Sequence, residues 1–144
     1  MPYRHTQAAP LMYLISVLGV VIGLVGYFLD AARWWLVLLG VLLVAVGLVA
    51  ARLTVVVDDR TVTTTFGWGW PRRRIVRDEI VGIAAVRNSW WHGWGIRKVS
   101  GGWMFNNSGR NAVELRLRSG KVFRVGTDQP AEMLAALDER AHTA

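Results

Sequence analysis

The sequence predicts a mainly β protein of the α+β class, in which a two-helix transmembrane hairpin precedes a small β-barrel or sandwich closed by a C-terminal α-helix. Three observations support this. The chain of 144 residues is 53% hydrophobic, and its apolar residues concentrate in the first third. From residue 54 onward, short β-branched runs replace the continuous apolar runs. The last segment has a proline near its start and an apolar stripe at helical spacing.

Two apolar runs predict the membrane helices. Residues 11–29 contain no charge, and residues 34–53 contain only Arg52, near their end. At ~1.5 Å per residue, each run forms about 28–30 Å of helix, which matches a hydrocarbon core of about 30 Å. Burial as core helices is disfavoured because the rest of the chain is too short to cover two such helices. A cleaved signal peptide is disfavoured by the length of the first run and by Asp30 at its end.

The short turn at residues 30–33 predicts that the two helices are antiparallel neighbours. Trp34 and Trp35 follow the turn directly, where interfacial aromatic anchors are expected. The turn carries Arg33, whereas the other side carries a larger set of arginines: Arg4, Arg52, Arg60, Arg72, Arg73 and Arg74. Because basic residues favour the cytoplasmic side, we expect a multi-pass inner- or plasma-membrane protein with both termini in the cytoplasm.

Three glycines in the first run, Gly19, Gly23 and Gly26, predict close helix packing. They can form the seam of a homo-oligomer or pack against the second helix of the same hairpin, and the second alternative is favoured. No Asp, Glu, Lys or His lies inside either run. This argues against a proton relay or an ion pathway.

A β domain over residues 54–144 follows an N-terminal tail (1–10) and the transmembrane hairpin (11–53). Residues 88–102 are rich in glycine and tryptophan and predict one long loop. A C-terminal helix is predicted over about residues 128–141, with Pro130 in its first turn. The predicted strands are 54–57, 61–66, 72–76, 80–87, 103–105, 112–118 and 121–126.

Four short segments of the β domain stand in an order and spacing typical of one family. They are Arg77-Asp78-Glu79-Ile80, Gly95-Ile96-Arg97, Ala112-Val113-Glu114-Leu115, and the run from Phe123 to Asp128 before Pro130. On these segments, residues 52–140 with the helical hairpin resemble the bacterial pleckstrin-homology-like (bPH) domain family of small membrane proteins. The resemblance implies a PH-like fold with two nearly orthogonal sheets and a C-terminal helix at one end. It implies no known activity.

The first hairpin of the β domain departs from the PH domains that bind phosphoinositides. Those domains place basic residues in and around this hairpin. Here the tip is Asp58-Asp59-Arg60, which is acidic on balance. The resemblance therefore does not imply phosphoinositide recognition at this hairpin.

The sequence predicts a protein without catalytic residues, cofactor or metal. It has no cysteine, which excludes thiolate chemistry and disulfides. His5, His92 and His142 lie far apart and lack metal-ligand spacing. The adjacent acids Asp78 and Glu79 are interpreted as turn residues. Motifs of metalloproteases, serine hydrolases and P-loop enzymes are absent from the sequence.

Tryptophan and arginine occur together in the β domain, and this is the most informative pattern for function. Residues 60–126 carry 13 basic and three acidic residues. Two predicted loops, over residues 66–74 and 90–98, combine both residue types. The candidate contact residues are Trp68, Trp70, Arg72, Arg73, Arg74, Trp90, Trp91, Trp94, Arg97 and Lys98.

Two functions compete for these residues. The first hypothesis is a non-enzymatic membrane protein whose cytoplasmic domain binds a protein partner or organises a membrane assembly, since Trp and Arg are enriched at interface hot spots. The second is a module that binds or senses an anionic membrane surface, since Trp prefers the headgroup region and basic residues attract anionic lipid. A third interpretation assigns most of the tryptophans to the core or to stacking contacts, and the arginines to a solvated face. Nucleic acid is disfavoured because RNA-recognition signatures are absent.

Overall fold

The computed structural model describes residues 3–29, 33–107 and 109–138 of the chain. Short 3-10 turns at Arg77–Glu79 and Trp90–His92 connect some of its elements. The helices and strands are, in chain order, β1 (Tyr3–Ala8), α1 (Pro10–Leu29), α2 (Trp34–Ala50), β2 (Arg52–Val57), β3 (Thr61–Phe66), β4 (Arg72–Val76), β5 (Ile80–Arg87), β6 (Gly95–Val99), β7 (Gly102–Asn106), β8 (Asn111–Leu117), β9 (Val122–Gly126) and α3 (Pro130–Asp138).

The strands form two sheets. The first has the antiparallel order β1-β2-β3-β4, and the second has the order β5-β8-β9-β7-β6, in which β7 and β9 are parallel. Alternate residues of β8, such as Val113 and Leu115, are buried in the core between the sheets. The α+β class is therefore confirmed. A closed barrel is not formed by the described strands, because no hydrogen-bonded ladder joins one sheet to the other.

Residues 3–8 fall in the predicted N-terminal tail, but they form an edge strand. β1 pairs with β2 along its whole length, from Tyr3 opposite Val57 to Ala8 opposite Arg52. This strand was not predicted because two of its inward positions are polar, including the buried Gln7. As a result, the helical hairpin is an insertion between two neighbouring strands of one sheet.

A further strand lies inside the predicted loop over residues 88–102. Gly95–Val99 forms β6, which pairs with β7 as an antiparallel edge strand. Of its five residues, only Val99 is buried. Because β6 has no apolar alternation, the period-2 signal that indicates a half-buried strand is missing. Arg97 and Lys98 therefore lie on a strand and not in a loop. The predicted strand 72–76, which carries Arg72, Arg73 and Arg74, is confirmed as β4.

The second helix ends earlier than its apolar run predicts. The run extends to residue 53, but α2 ends at Ala50 and Arg52 begins β2. Leu53 is completely buried in the core of the β domain. Its apolar side chain is thus required by the core and not by a membrane helix.

Only one helix of the described chain meets a length and composition criterion for crossing a membrane. This is α1, with 20 residues. α2 is also apolar but has 17 residues. The outward faces of both helices are exposed and apolar, as in Leu14, Val17, Leu38 and Val41.

The two helices pack closely through glycines. A Cβ atom at Gly19 would lie 2.7 Å from the Gly40 carbonyl oxygen, and one at Gly26 would lie 2.6 Å from the Leu36 Cβ. Gly23 has more space, since its Cβ would lie 3.8 Å from the Gly40 Cα. All three predicted packing glycines therefore face α2 of the same chain.

The C-terminal helix α3 covers the side of the domain formed by β1, β5 and β8. Its residues Met133 and Leu137 are buried in the common core. His5 of β1 pairs with Asp128, just before α3, at 2.6 Å. The helix is shorter at its start than the predicted 128–141, and residues 139–141 lie outside the described chain.

Candidate functional site

The helices join the β domain at one end, which we call the near end. It comprises the turn 67–71, the loop 88–94 and Asn107. The turn is held to the start of β2, directly after α2, because the Gly67 N–H donates to the Arg52 carbonyl oxygen at 2.9 Å. A Cβ atom at Gly67 would also lie 3.1 Å from the Val49 carbonyl oxygen of α2.

The loop 88–94 reaches the same end through two neighbouring asparagines at the end of β7. Asn107 donates from Nδ2 to the carbonyl oxygen of Gln7, close to the start of α1, at 3.0 Å. Asn106 donates from Nδ2 to the Gly93 carbonyl oxygen at 3.3 Å. Both sheets therefore present a connecting segment beside the helix ends.

The opposite end of the domain, the far end, comprises the turns 58–60, 77–79 and 118–121. Two backbone hydrogen bonds link these turns. The Arg77 N–H donates to the Arg60 carbonyl oxygen at 2.9 Å, and the Arg118 N–H donates to the Glu79 carbonyl oxygen at 2.7 Å.

Five exposed tryptophans lie at the near end. Trp90 and Trp91 contact each other, with ring centroids 3.8 Å apart. Clusters of exposed large apolar side chains mark surfaces that contact a membrane or a partner. The exposures exclude the interpretation in which these tryptophans belong to the core: Trp68 87%, Trp70 79%, Trp90 65%, Trp91 77% and Trp94 42%.

Charge divides the domain along the same axis. The segments 66–76 and 87–113, which include the near end, contain no Asp or Glu. The far end carries four acids, Asp58, Asp59, Asp78 and Glu79. The acidic first hairpin thus lies at the end of the domain remote from the helices, where the four acids are accompanied by Arg60, Arg77, Arg118 and Lys121. The exposed tryptophans and the acid-free segments lie beside the helices.

The predicted basic contacts lie on the edge strands of the two sheets. Arg72, Arg73 and Arg74 are exposed on β4, and Arg97 and Lys98 are exposed on β6. Within the described part of the chain, none of these five cations takes part in an ion pair. They are consequently available to an external anion.

Two grooves run between these edge strands. The lower groove, of about 380 Å³, is almost wholly apolar and lies between α2 and the near end. Its lining includes Val46, Val49, Phe66, Trp70 and Ile96. The upper groove, of about 310 Å³, continues on the other side of Ile96. It is lined by Arg72, Arg73, Ile96, Gly102, Trp103, Phe105, Leu117, Lys121, Val122 and Phe123.

Three exposed β-domain residues that line these grooves, Ile96, Trp103 and Lys121, were not among the predicted contacts. Ile96 and Trp103 lie on the hairpin of β6 and β7, whereas Lys121 and β4 are far from that hairpin in the sequence. Only the parallel pairing of β7 with β9 brings Trp103 next to Phe123, close to Lys121. Because β8 separates β7 from β9 in the sequence, their parallel pairing leaves no local pattern from which these residues could be found.

The predicted interfacial anchors lie at the other end of the helices. Trp34 and Trp35 begin α2 and are exposed, at the end remote from the β domain. Tyr27 and Phe28, at the end of α1, are exposed at the same level, with ring centroids 5.2 Å apart. Aromatic side chains therefore flank the helical hairpin at both ends.

An ion cluster around the buried Glu114 supports the second sheet beneath the near end. Glu114 accepts a hydrogen bond from Arg124 Nε at 2.8 Å and one from Arg116 Nε at 3.2 Å. Burial opposes ionisation of Glu114, but the hydrogen bonds from the two arginines outweigh it and lower the pKa of this carboxyl. Glu114 thus serves as a structural anion.

No metal site is found in residues 3–29, 33–107 and 109–138, where no three His, Asp or Glu side chains come together. Comparison of the sequence with models of known protein families, and with curated proteins, gives no match. We therefore infer the function from the geometry and charge of this chain.

Proposed function

We propose that this protein is an integral membrane protein whose helical hairpin crosses the bilayer twice and whose β domain rests with its near end on the anionic cytoplasmic leaflet. The observation that carries the proposal is the position of the five exposed tryptophans beside the helix ends. Tryptophan favours the headgroup region, so the near end suits that depth of the membrane. The proposed role is binding and presentation at the membrane, without catalysis.

The pairing of β1 with β2 supports two crossings. β1 precedes α1, β2 follows α2, and the two strands are hydrogen-bonded neighbours. Strands cannot pair through a bilayer, so the chain between them crosses an even number of times. If α1 crosses, α2 crosses as well, and its 17 residues fall at the short limit of about 17–25 residues for a membrane helix.

The charge distribution supports the choice of leaflet. Each basic residue close to an anionic leaflet contributes about 1 kcal/mol of attraction. Arg72, Arg87 and Arg97 flank the near end in segments that lack acids, whereas the acids at the far end are held away from the lipid. The orientation in which the near end faces lipid is therefore favoured by both tryptophan and charge.

The resemblance to the bPH family remains part of the proposal. A four-stranded antiparallel sheet, a second sheet and the C-terminal helix α3 support it. In this proposal, the acidic hairpin tip Asp58-Asp59-Arg60 takes no part in lipid binding, because it lies at the far end.

A protein partner is the second candidate. Trp103 favours it, because this tryptophan is 53% exposed but lies on β7, away from the near end. A partner that engages β6 and β7 would contact Trp103 together with Arg97 and Lys98, residue types that are frequent at interface hot spots.

Site-specific fluorescence tests the proposal. The chain has no cysteine, so Trp68→Cys introduces a unique thiol at the near end, which can carry an environment-sensitive dye. The labelled full chain is placed in nanodiscs of neutral lipid or of lipid with a 30% anionic fraction. We expect blue-shifted emission in the anionic nanodiscs and a smaller shift at high salt, because salt screens the attraction.

Ser119→Cys provides the matched control at the far end, where the same dye is expected to report water in both lipids. Equal emission from the two labelled positions would contradict the proposal. Dye burial at position 68 that depends on an added protein, and not on lipid charge, would favour the second candidate.

A further inference from the structure

The space between the two sheets is covered on one side and open on the other. On one side, α3 packs against β5 and β8, and β1 is tied to the residues before α3 through His5 and Asp128. On the other side, β4 of the first sheet faces β6, β7 and β9 of the second, and the upper groove opens between them. We call this second side the open seam.

The open seam has an apolar floor and a basic rim. Phe105 and Phe123, which belong to the core, form part of its floor, with ring centroids 5.2 Å apart. Arg72, Arg73 and Lys121 line the same groove and are exposed. An apolar surface beside three cations fits a ligand that is both apolar and anionic.

The lower groove continues this arrangement toward the membrane helices. Ile96 lines both grooves, and Pro71 of the lower groove precedes Arg72 of the upper one. Each volume falls in the range of about 300–1,000 Å³ that is usual for ligand pockets. With increasing distance from α2, the apolar lower groove therefore comes first, Ile96 second, and the basic rim of the upper groove third.

We propose that the open seam binds one anionic phospholipid from the adjacent leaflet. An acyl chain lies in the lower groove along Val46 and Val49 of α2, and the phosphate lies beside Arg72 and Arg73, with Lys121 at the far-end side of the same groove. This order, with the chain toward the membrane and the phosphate away from it, is the orientation that the lipid already has in the leaflet. The inference rests on the proposed function, since it requires the near end to meet the bilayer.

The three cations favour a ligand with negative charge, and the lower groove favours a ligand with an acyl chain. Arginine binds phosphate oxygens through several N–H donors, which gives it more specificity than a point charge. A free headgroup has no acyl chain for the lower groove, and a neutral lipid has no net negative charge for the basic rim. Glycerol 3-phosphate and phosphatidylcholine are therefore expected to bind more weakly than phosphatidylglycerol.

Native mass spectrometry of the full chain from mixed micelles tests the proposal. We expect one phosphatidylglycerol to remain bound per chain under conditions that remove phosphatidylcholine. Arg72→Gln combined with Arg73→Gln should reduce the retained phosphatidylglycerol by about tenfold or more, given roughly fivefold per basic residue. Val46→Trp, a change at an exposed position, should fill the lower groove and cause a similar loss.

Two further variants separate this inference from the proposed function. Trp90→Ser combined with Trp91→Ser removes near-end aromatics that line neither groove of the seam, so it should weaken docking of the domain but keep the bound lipid. Arg4→Gln, on the exposed surface of β1, should change neither property. Equal retention of phosphatidylglycerol and phosphatidylcholine, or full retention by the Arg72 and Arg73 variant, would overturn the inference even if the near end docks on the leaflet.

Discussion

Gln7 and Asn107 exchange hydrogen bonds between the first strand of one sheet and the end of β7 in the other. Gln7 donates from Nε2 to the Asn107 side-chain oxygen, and Asn107 donates from Nδ2 to the Gln7 carbonyl oxygen at 3.0 Å. Both residues are almost fully buried. The pair holds the N-terminal strand, the helix ends and the second sheet together at the near end.

We expect Gln7→Leu to destabilise the β domain. The substitution leaves the buried Asn107 without one partner, and the cost of such a group is about 1–3 kcal/mol. For a domain of this size, a loss of 1 kcal/mol lowers Tm by roughly 4–8 °C. Thermal unfolding of the full chain in micelles, followed by near-UV circular dichroism, measures the change.

Thr6→Ala is the control for Gln7→Leu, since Thr6 lies on the same strand but is exposed. Its hydroxyl contacts that of Thr54 at the surface, at 2.8 Å. We expect a smaller fall in Tm. Equal falls in Tm for the two substitutions would show that the Gln7–Asn107 pair does not contribute more to stability than a surface contact of β1.

Two glycine substitutions should differ sharply in their effect on the helical hairpin. A Cβ atom at Gly40 would lie 2.5 Å from the Gly19 carbonyl oxygen, whereas one at Gly23 would have 3.8 Å to the Gly40 Cα. Gly40→Ala should therefore push α1 and α2 apart and reduce the resistance of the chain to denaturing detergent. Gly23→Ala should be nearly neutral, and the reverse order would contradict the packing described here.

Aromatic and basic residues should contribute to docking with different salt dependence. Replacing Arg72, Arg73 and Arg74 by Ser should remove most of the difference between anionic and neutral nanodiscs, because that difference is electrostatic. Replacing Trp90 and Trp91 by Ser should weaken docking by a similar factor at low and high salt. The emission of a dye at position 119 serves as the reference, and a strong salt effect of the tryptophan substitutions would contradict this division.

The Glu114 cluster predicts a loss of stability in acid. Since the folded-state pKa of Glu114 lies below its ordinary value of 4.5, the stabilisation is present above pH 4.5 and is lost as the pH falls through the folded-state pKa. Glu114→Gln should lower the free energy of unfolding at pH 7 by about 1–2 kcal/mol. It should also flatten the acid side of the stability profile, and an unchanged slope below pH 4.5 would contradict the assignment.

Much of the fold is visible in the sequence wherever one face of a strand or helix is apolar. The alternation of Val113, Leu115 and Leu117 predicts β8, and the continuous apolar runs predict α1 and most of α2. These patterns are strong because each buried apolar side chain contributes a large favourable free energy to folding. The near-end tryptophans also stood out, as residues of a type that is rarely clustered on a surface without a function.

The features that were not predicted from the sequence, namely β1, β6 and the open seam, depend on long-range pairing. β1 has a polar inward residue, Gln7, whose partner Asn107 is 100 positions away. β6 is an edge strand with four of its five residues outside the core. The open seam requires β4 and β9 to approach, and neither strand carries a sequence pattern that specifies the other. Contacts of this kind are decided by the assembled core and leave no local periodicity.

The insertion of the hairpin between β1 and β2 has a consequence for biogenesis. The first strand leaves the ribosome before either helix, but its partner strand is made only after both. In the topology proposed above, the nascent strand waits on the cytoplasmic side while the translocation machinery inserts the hairpin. Under that proposal, folding of the domain reports successful insertion: a chain whose second helix fails to enter the bilayer has its first two strands on opposite sides and cannot complete its sheet.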